Sequence, residues 1–153
     1  MKISEYIKEN YLVLDGATGT MLQKAGVLGI PELVNVENPK LLLDIQKKFV
    51  AAGADLVLTC TFGANRKKIV NVKYSLEEII KAACKNARMA GAKYVALDIG
   101  PIGEMLEPNG TLTFNEAYDI FAEIINIGKS LVDVIYIETM TDLLEIKAAL
   151  IAA

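Results

Sequence analysis

A chain of 153 residues is one domain's worth of protein, here with 53% hydrophobic residues, 23% charged residues, a net charge of −3 and a mean hydropathy of +0.35. It has no basic run interleaved with aromatics, so no nucleic-acid footprint, and no apolar stretch reaches the roughly 18 residues of a membrane span. Acids interrupt MKISEYIKENYLVLDG where a signal peptide would be apolar, which makes the cytoplasm the expected location, and the absence of histidine excludes Ser-His-Asp triads, Cys-His pairs and His-based zinc sites.

The first apolar run, YLVLDGATG from Tyr11, leads into DGATGTMLQKAG. This is neither GxGxxG nor a P-loop, since Gly-Lys-Ser/Thr is missing. Its backbone N–H groups could hold a small anion such as a substrate carboxylate, and a tight strand-to-helix turn explains the pattern equally well. Asn38-Pro39 then announces a helix, a cap followed by proline at the first position. Along it Leu41, Leu42, Ile45, Phe49 and Ala52 share a face, while Asp44, Lys47 and Lys48 point away.

The second run, ADLVLTCTFGAN from Ala54, closes on Thr59-Cys60-Thr61. No Lys or Arg neighbours Cys60 to lower its pKa, so a buried, unreactive thiol is expected there, and Cys84 is expected to pack inside a helix. Ser75 with Glu78, and Thr113 with Glu116, fit the capping box at two further helix starts. The third run, KYVALDIGP from Lys93, closes on Asp98; the fourth, DVIYIETM from Asp133, closes on Glu138-Thr139. Gly53, Gly91 and Gly128 fall near helix ends, where a left-handed C-cap is expected. The remaining acids and lysines read as solvated helix faces without function.

Runs apolar on both faces and about 40 residues apart predict four βα units built on parallel strands. Such units fit an open doubly wound sheet or a (β/α)8 barrel, and both gather chemistry at the C-terminal strand ends. An acid or a hydroxyl closes each of the four runs. Turn chemistry explains any one of them; the four together point to a site. Glu138 could receive a substrate ammonium or act as a base, or else cap the next helix.

In order along the chain, LDGATGTMLQ, AGADLVLTCTFGAN, YVALDIGPIGEMLEPNGTLTF and IETMTDLLEIKAAL resemble the homocysteine S-methyltransferase domain, as in the first module of cobalamin-dependent methionine synthases. The resemblance implies an α/β fold of the (β/α)8 TIM-barrel family, of which residues 1–153 would be the N-terminal half, four βα units truncated after the fourth helix. It implies methyl transfer to homocysteine giving methionine, with methylcobalamin on a separate cobalamin-binding module as donor. Betaine or S-methylmethionine as donor, and a non-catalytic open-sheet α/β binding module, are the alternatives.

By the same resemblance Asp15 and Gly16 line the substrate pocket, Thr61 is a pocket residue and Glu138 receives the ammonium of homocysteine. Asp98 would line the site or fix the loop through Pro108-Asn109-Gly110. The family's zinc is held by cysteines in Asn-Cys and Gly-Gly-Cys-Cys segments, and neither segment occurs here. No catalytic residue and no metal ligand are therefore assigned, and the chain alone is expected to be inactive. An opened barrel leaves strand edges and apolar surface bare, so self-association of half-barrels is expected, with no membrane or nucleic-acid partner.

Overall fold

The helix starts form as their residues dictate. Asn38 Oδ1 accepts from the N–H of Leu41 at 3.3 Å, with Pro39 at the first helical position. Ser75 and Glu78, and likewise Thr113 and Glu116, bond each other's backbone in complete capping boxes. In chain order the computed structural model, which describes residues 1–153, contains α1 (Ile3–Tyr6), α2 (Thr18–Lys24), a 3₁₀ turn (Pro31–Leu33), α3 (Val34–Glu37), α4 (Pro39–Ala51), β1 (Leu56–Leu58), α5 (Leu76–Met89), β2 (Tyr94–Ile99), α6 (Phe114–Gly128), β3 (Val134–Ile137) and α7 (Leu143–Ala152).

The three strands are parallel and lie in sequence order, with Leu56 opposite Tyr94 and Asp98 opposite Tyr136. Four strands were expected; the first run forms only a single bridge, Leu14 to Leu56, outside β1. Side chains end this ladder on both sides. Leu56 donates to the Val13 carbonyl and accepts from Asp15 N–H, but the next rung is broken, because Leu58 N–H goes to the Asp15 carboxylate at 3.1 Å rather than to a carbonyl. Before the bridge, Val13 N–H goes to the Asp55 carboxylate at 3.2 Å. The order of the bridge residue and the three strands never reverses. Neighbouring strands of a barrel wall have this sequential order, and so does either half of a doubly wound sheet on one side of its switch point.

β2 is buried along its whole length. Leu97 and Ile99 pack with Ile120, Phe121, Ile124 and Ile125 of α6 and with Ala148 and Ala149 of α7. Gly53 and Gly91 have φ of +109° and +84°, the left-handed caps expected of them. Gly128 does not. It is the last residue of α6 and lies against Leu97, where close approach rather than a positive φ requires the missing side chain. β3 is the last strand of the sheet and only half-buried, and Leu143, Leu144, Leu150 and Ile151 of α7 are exposed. No helix is long and apolar enough to cross a membrane.

Candidate functional site

The C-terminal ends of β1, β2 and β3 and the turn into α2 surround a cavity of about 530 Å³. Four carboxylates line it, those of Asp15, Glu32, Asp98 and Glu138, and no lysine or arginine does. Each arrives from a different segment, which is how a parallel sheet assembles a site from residues far apart in sequence.

Asp15 is fixed by its own rung: its N–H donates to the Leu56 carbonyl at 3.0 Å and one carboxylate oxygen accepts from Leu58. The other oxygen is buried without a partner. Burial pushes this carboxyl up to about 6, against the opposing pull of the Leu58 hydrogen bond. Gly16 follows because Phe49 of α4 packs beneath it; a Cβ there would lie 2.7 Å from the phenyl ring.

Asp98 is locked through its backbone by a ring of three hydrogen bonds. Its N–H donates to Thr59 Oγ1 at 3.0 Å, the Thr61 hydroxyl donates to its carbonyl at 2.7 Å, and the two hydroxyls are 2.7 Å apart. Thr61 has one proton and gives it to Asp98, so Thr59 donates to Thr61 and the ring closes. Thr61 is thus buried behind the cavity and is not among its lining residues, whereas Thr59 and Cys60 are. The Asp98 carboxyl is 6% exposed, and burial, then the charge of Glu138, pushes it up to about 8. The loop through Pro108 is held by other residues: Leu106 bridges Leu112, and Glu145 of α7 accepts from Ile102 N–H at 2.7 Å.

Glu138 leaves β3 one bond beyond the strand, its N–H donating to the Ile99 carbonyl at 3.0 Å. Thr139 then takes φ of +56°, a left-handed backbone that a β-branched residue rarely adopts, and turns the chain out of the sheet directly after the acid. Glu138 does not cap the next helix; Asp142 does, accepting from Leu144 N–H at 2.8 Å.

Glu32 is the residue that reading by strand ends missed. It belongs to the 3₁₀ turn, is 6% exposed, and accepts from Gly63 N–H at 2.6 Å while lining the cavity. It is therefore no solvated helix acid, and neither is the buried Glu145. The one available signal was the invariably costly burial of a charge beside Pro31 in an otherwise apolar GIPELV.

The residues present do not fit a resident zinc. Cys60 lines the cavity, but Cys84 lies in the core with Ile80 and Leu97, and nowhere do three His, Cys, Asp or Glu side chains stand together as a ligand set. Burial, reinforced by Glu32, Asp98 and Asp15, drives the Cys60 thiol far above its ordinary range, the reverse of an activated nucleophile.

Methionine synthases of Mycobacterium leprae and Mycobacterium tuberculosis are 29% and 28% identical to this chain over 97% of its length, and the chain spans 14% of each of them. The fold matches the metallated form of the homocysteine methyltransferase MmuM from Escherichia coli with a TM-score of 0.79 at 21% identity, covering 95% of this chain and 61% of that one. The family model for homocysteine S-methyltransferase matches residues 12–153, and the chain belongs to the homocysteine S-methyltransferase family.

Proposed function

We propose that this chain is the amino-acid-binding part of a homocysteine methyltransferase barrel, a half-barrel of four βα units whose first strand is reduced to one bridge. The observation that carries this reading is the cavity itself, where Asp15, Asp98 and Glu138 converge from three strand positions with no cation among them. An ammonium group is the natural counter-charge for such a site, and Glu138, on the end of a rigid strand, is the group we assign to receive it. Asp15 and Gly16 shape the wall beside it, and Thr61 acts from behind by holding Asp98.

Thiolate generation is not among this chain's tasks. The cavity has no cation to stabilise a thiolate, and the two cysteines are protonated well above neutral pH. We therefore infer that the chain binds homocysteine without turning it over, and that zinc chemistry and the methyl donor, by resemblance methylcobalamin on another module, belong to other parts of the parent protein. The open edge of β3 and the bare apolar residues of α7 make a second copy the expected cover for this face when the chain is alone.

Titration calorimetry tests the reading. L-Homocysteine and L-methionine both bind; 4-mercaptobutanoate, which lacks the ammonium, does not. Glu138→Gln weakens binding about 10- to 100-fold, the loss of one charge-assisted hydrogen bond. Equal binding of the deaminated analogue, or methyl transfer by the chain alone, would overturn it. Sedimentation velocity at micromolar concentration checks the association, and a single monomeric boundary would refute it.

A further inference from the structure

Asp98 and Glu138 stand on neighbouring strands in a fixed diagonal. Asp98 is in register with Tyr136, and Glu138 lies two residues beyond, on the same face. Both side chains line the same cavity, together with the carboxylates of Asp15 and Glu32. Carboxylates gathered in one cavity without a cation repel one another when all are ionised, which favours a proton on one of them. The more buried of the two is Asp98, whose Oδ1 is enclosed without any partner. An ionised Asp98 would bury a charge on an oxygen that nothing solvates; a neutral one leaves only a weak acceptor unmatched.

Every titratable group facing this pair opposes a further negative charge or is neutral. Asp15 comes from the first run, Glu32 from the 3₁₀ turn, Cys60 from the end of β1 and Tyr136 from β3, and the cavity has no lysine or arginine. Lys68, the cation of the adjoining loop, spends its ammonium on the Pro101 carbonyl at 2.8 Å.

We propose that Asp98 is a second ammonium-binding carboxyl of the cavity: in the free protein it holds a proton, and when a ligand ammonium enters the cavity that proton is released to solvent. This rests on the homocysteine-site reading above. The balance is simple. A neutral Asp98, an ionised Glu138 and an ammonium ligand become two carboxylates sharing one ammonium, plus one proton in the buffer, and no carbon bond changes. The ammonium supplies the donor that the Asp98 Oδ1 lacks.

The direction of the pH effect follows. Asp98, raised to about 8 mainly by its burial, is still protonated at neutral pH, so binding tightens as pH rises towards 8 and then levels. Asp15, raised to about 6, is already ionised above pH 7 and does not confuse that window.

L-Methionine is the probe, because it has no thiol to titrate. Calorimetry of the chain at pH 7.2 in phosphate and in Tris, buffers of unlike ionisation enthalpy, should give different apparent enthalpies equivalent to roughly 0.5–0.9 proton released per ligand. Asp98→Asn, whose amide has no proton to release and no charge to offer the ammonium, should bind more weakly than wild type, with no buffer dependence and a flat affinity from pH 7 to 8. Identical enthalpies in the two buffers with the wild-type chain, or undiminished proton release in Asp98→Asn, would overturn the inference while leaving the binding site intact. Absence of any binding by the wild-type chain would instead overturn the homocysteine-site reading on which it stands. The wild-type buffer comparison decides the matter even if the variant does not fold.

Discussion

The carboxylate of Glu32 accepts a 2.6 Å hydrogen bond from the backbone N–H of Gly63, and a Cβ built on that glycine would lie 2.7 Å from the same Oε1. One wall of the cavity is thereby tied to the Thr-Phe-Gly-Ala segment, and the tie works only because residue 63 has no side chain. Glu32→Ala should cost about 1–3 kcal/mol by orphaning a buried donor, whereas Glu32→Gln, which retains an acceptor oxygen, should cost clearly less. Urea unfolding of the two variants checks this; equal losses would mean that the carboxylate does not hold the segment.

Gly128 is the corresponding contact between a helix and the sheet. A Cβ on it would meet both methyl groups of Leu97 at 2.8 Å, in the middle of the main core. Gly128→Ala should therefore destabilise by about 1–3 kcal/mol through overpacking, despite the better helix propensity of alanine. Pairing it with Leu97→Val should recover part of the loss, and a double-mutant cycle without coupling would disprove the contact.

The hydroxyl ring around Asp98 makes a third expectation. Thr61→Val keeps the shape but removes both the donor to the Asp98 carbonyl and the acceptor of the Thr59 hydroxyl. Thr61→Ser keeps both. The valine variant should lose about 1–3 kcal/mol in thermal unfolding and the serine variant less than half of that. Ligand affinity should fall with valine too, since Asp98 is held in place only through this ring and its strand. A valine variant as stable as wild type would show that the ring holds nothing.

Much of this architecture was legible in the chain because its signals are local. A capping box needs residues three apart, so Ser75-Glu78 and Thr113-Glu116 announce their helices unaided. Strand ends were legible for the same reason, and they delivered Asp15, Asp98 and Glu138 to one cavity. What could not be read were the contacts made across long separations. The replacement of a ladder rung by the Asp15 side chain shortens the first strand to a bridge, and no periodicity reports it. Glu32 reaches Gly63 from a turn without strand or helix pattern, and Gly128 answers to a leucine on another element. Thr61 was expected in the pocket from its position, and the geometry instead puts its hydroxyl on the Asp98 carbonyl, outside the cavity lining.

Both thiols should be inert in the folded chain. Burial pushes Cys84 up to about 11, and drives Cys60 further still with the help of neighbouring acids. At pH 8 iodoacetamide should modify Cys84 about 100-fold more slowly than in the urea-unfolded chain, since only the thiolate reacts, and Cys60 more slowly again. Rapid labelling of Cys60 in the native protein would show that the acid-lined wall is open to solvent and does not suppress its ionisation.

The same acids set the pH dependence of stability, and the sign runs against the usual carboxylate case. Asp98 and Asp15 have folded-state values raised to about 8 and about 6, above an unfolded value of about 3.9. The folded chain therefore binds more protons than the unfolded one, and stability falls as pH rises. Between about pH 4 and 6 both residues contribute to that fall, Glu145 adds to it, and between about 6 and 8 Asp98 carries the slope. The acids held low by hydrogen bonds, Asp55 chiefly by the Val13 N–H and Glu78 and Glu116 by their capping boxes, lose their contribution only as pH drops below the carboxylate range, outside this window. Urea midpoints measured from pH 5 to 8 should decline, and above 8 the two cysteines, whose thiols ionise in the unfolded chain first, continue the fall. Asp98→Asn should flatten the segment from 6 to 8, and Asp15→Asn the segment below 6. If Asp98→Asn ran parallel to wild type across the whole range, Asp98 would already be ionised in the folded chain, and the proton assigned to it would have to sit elsewhere.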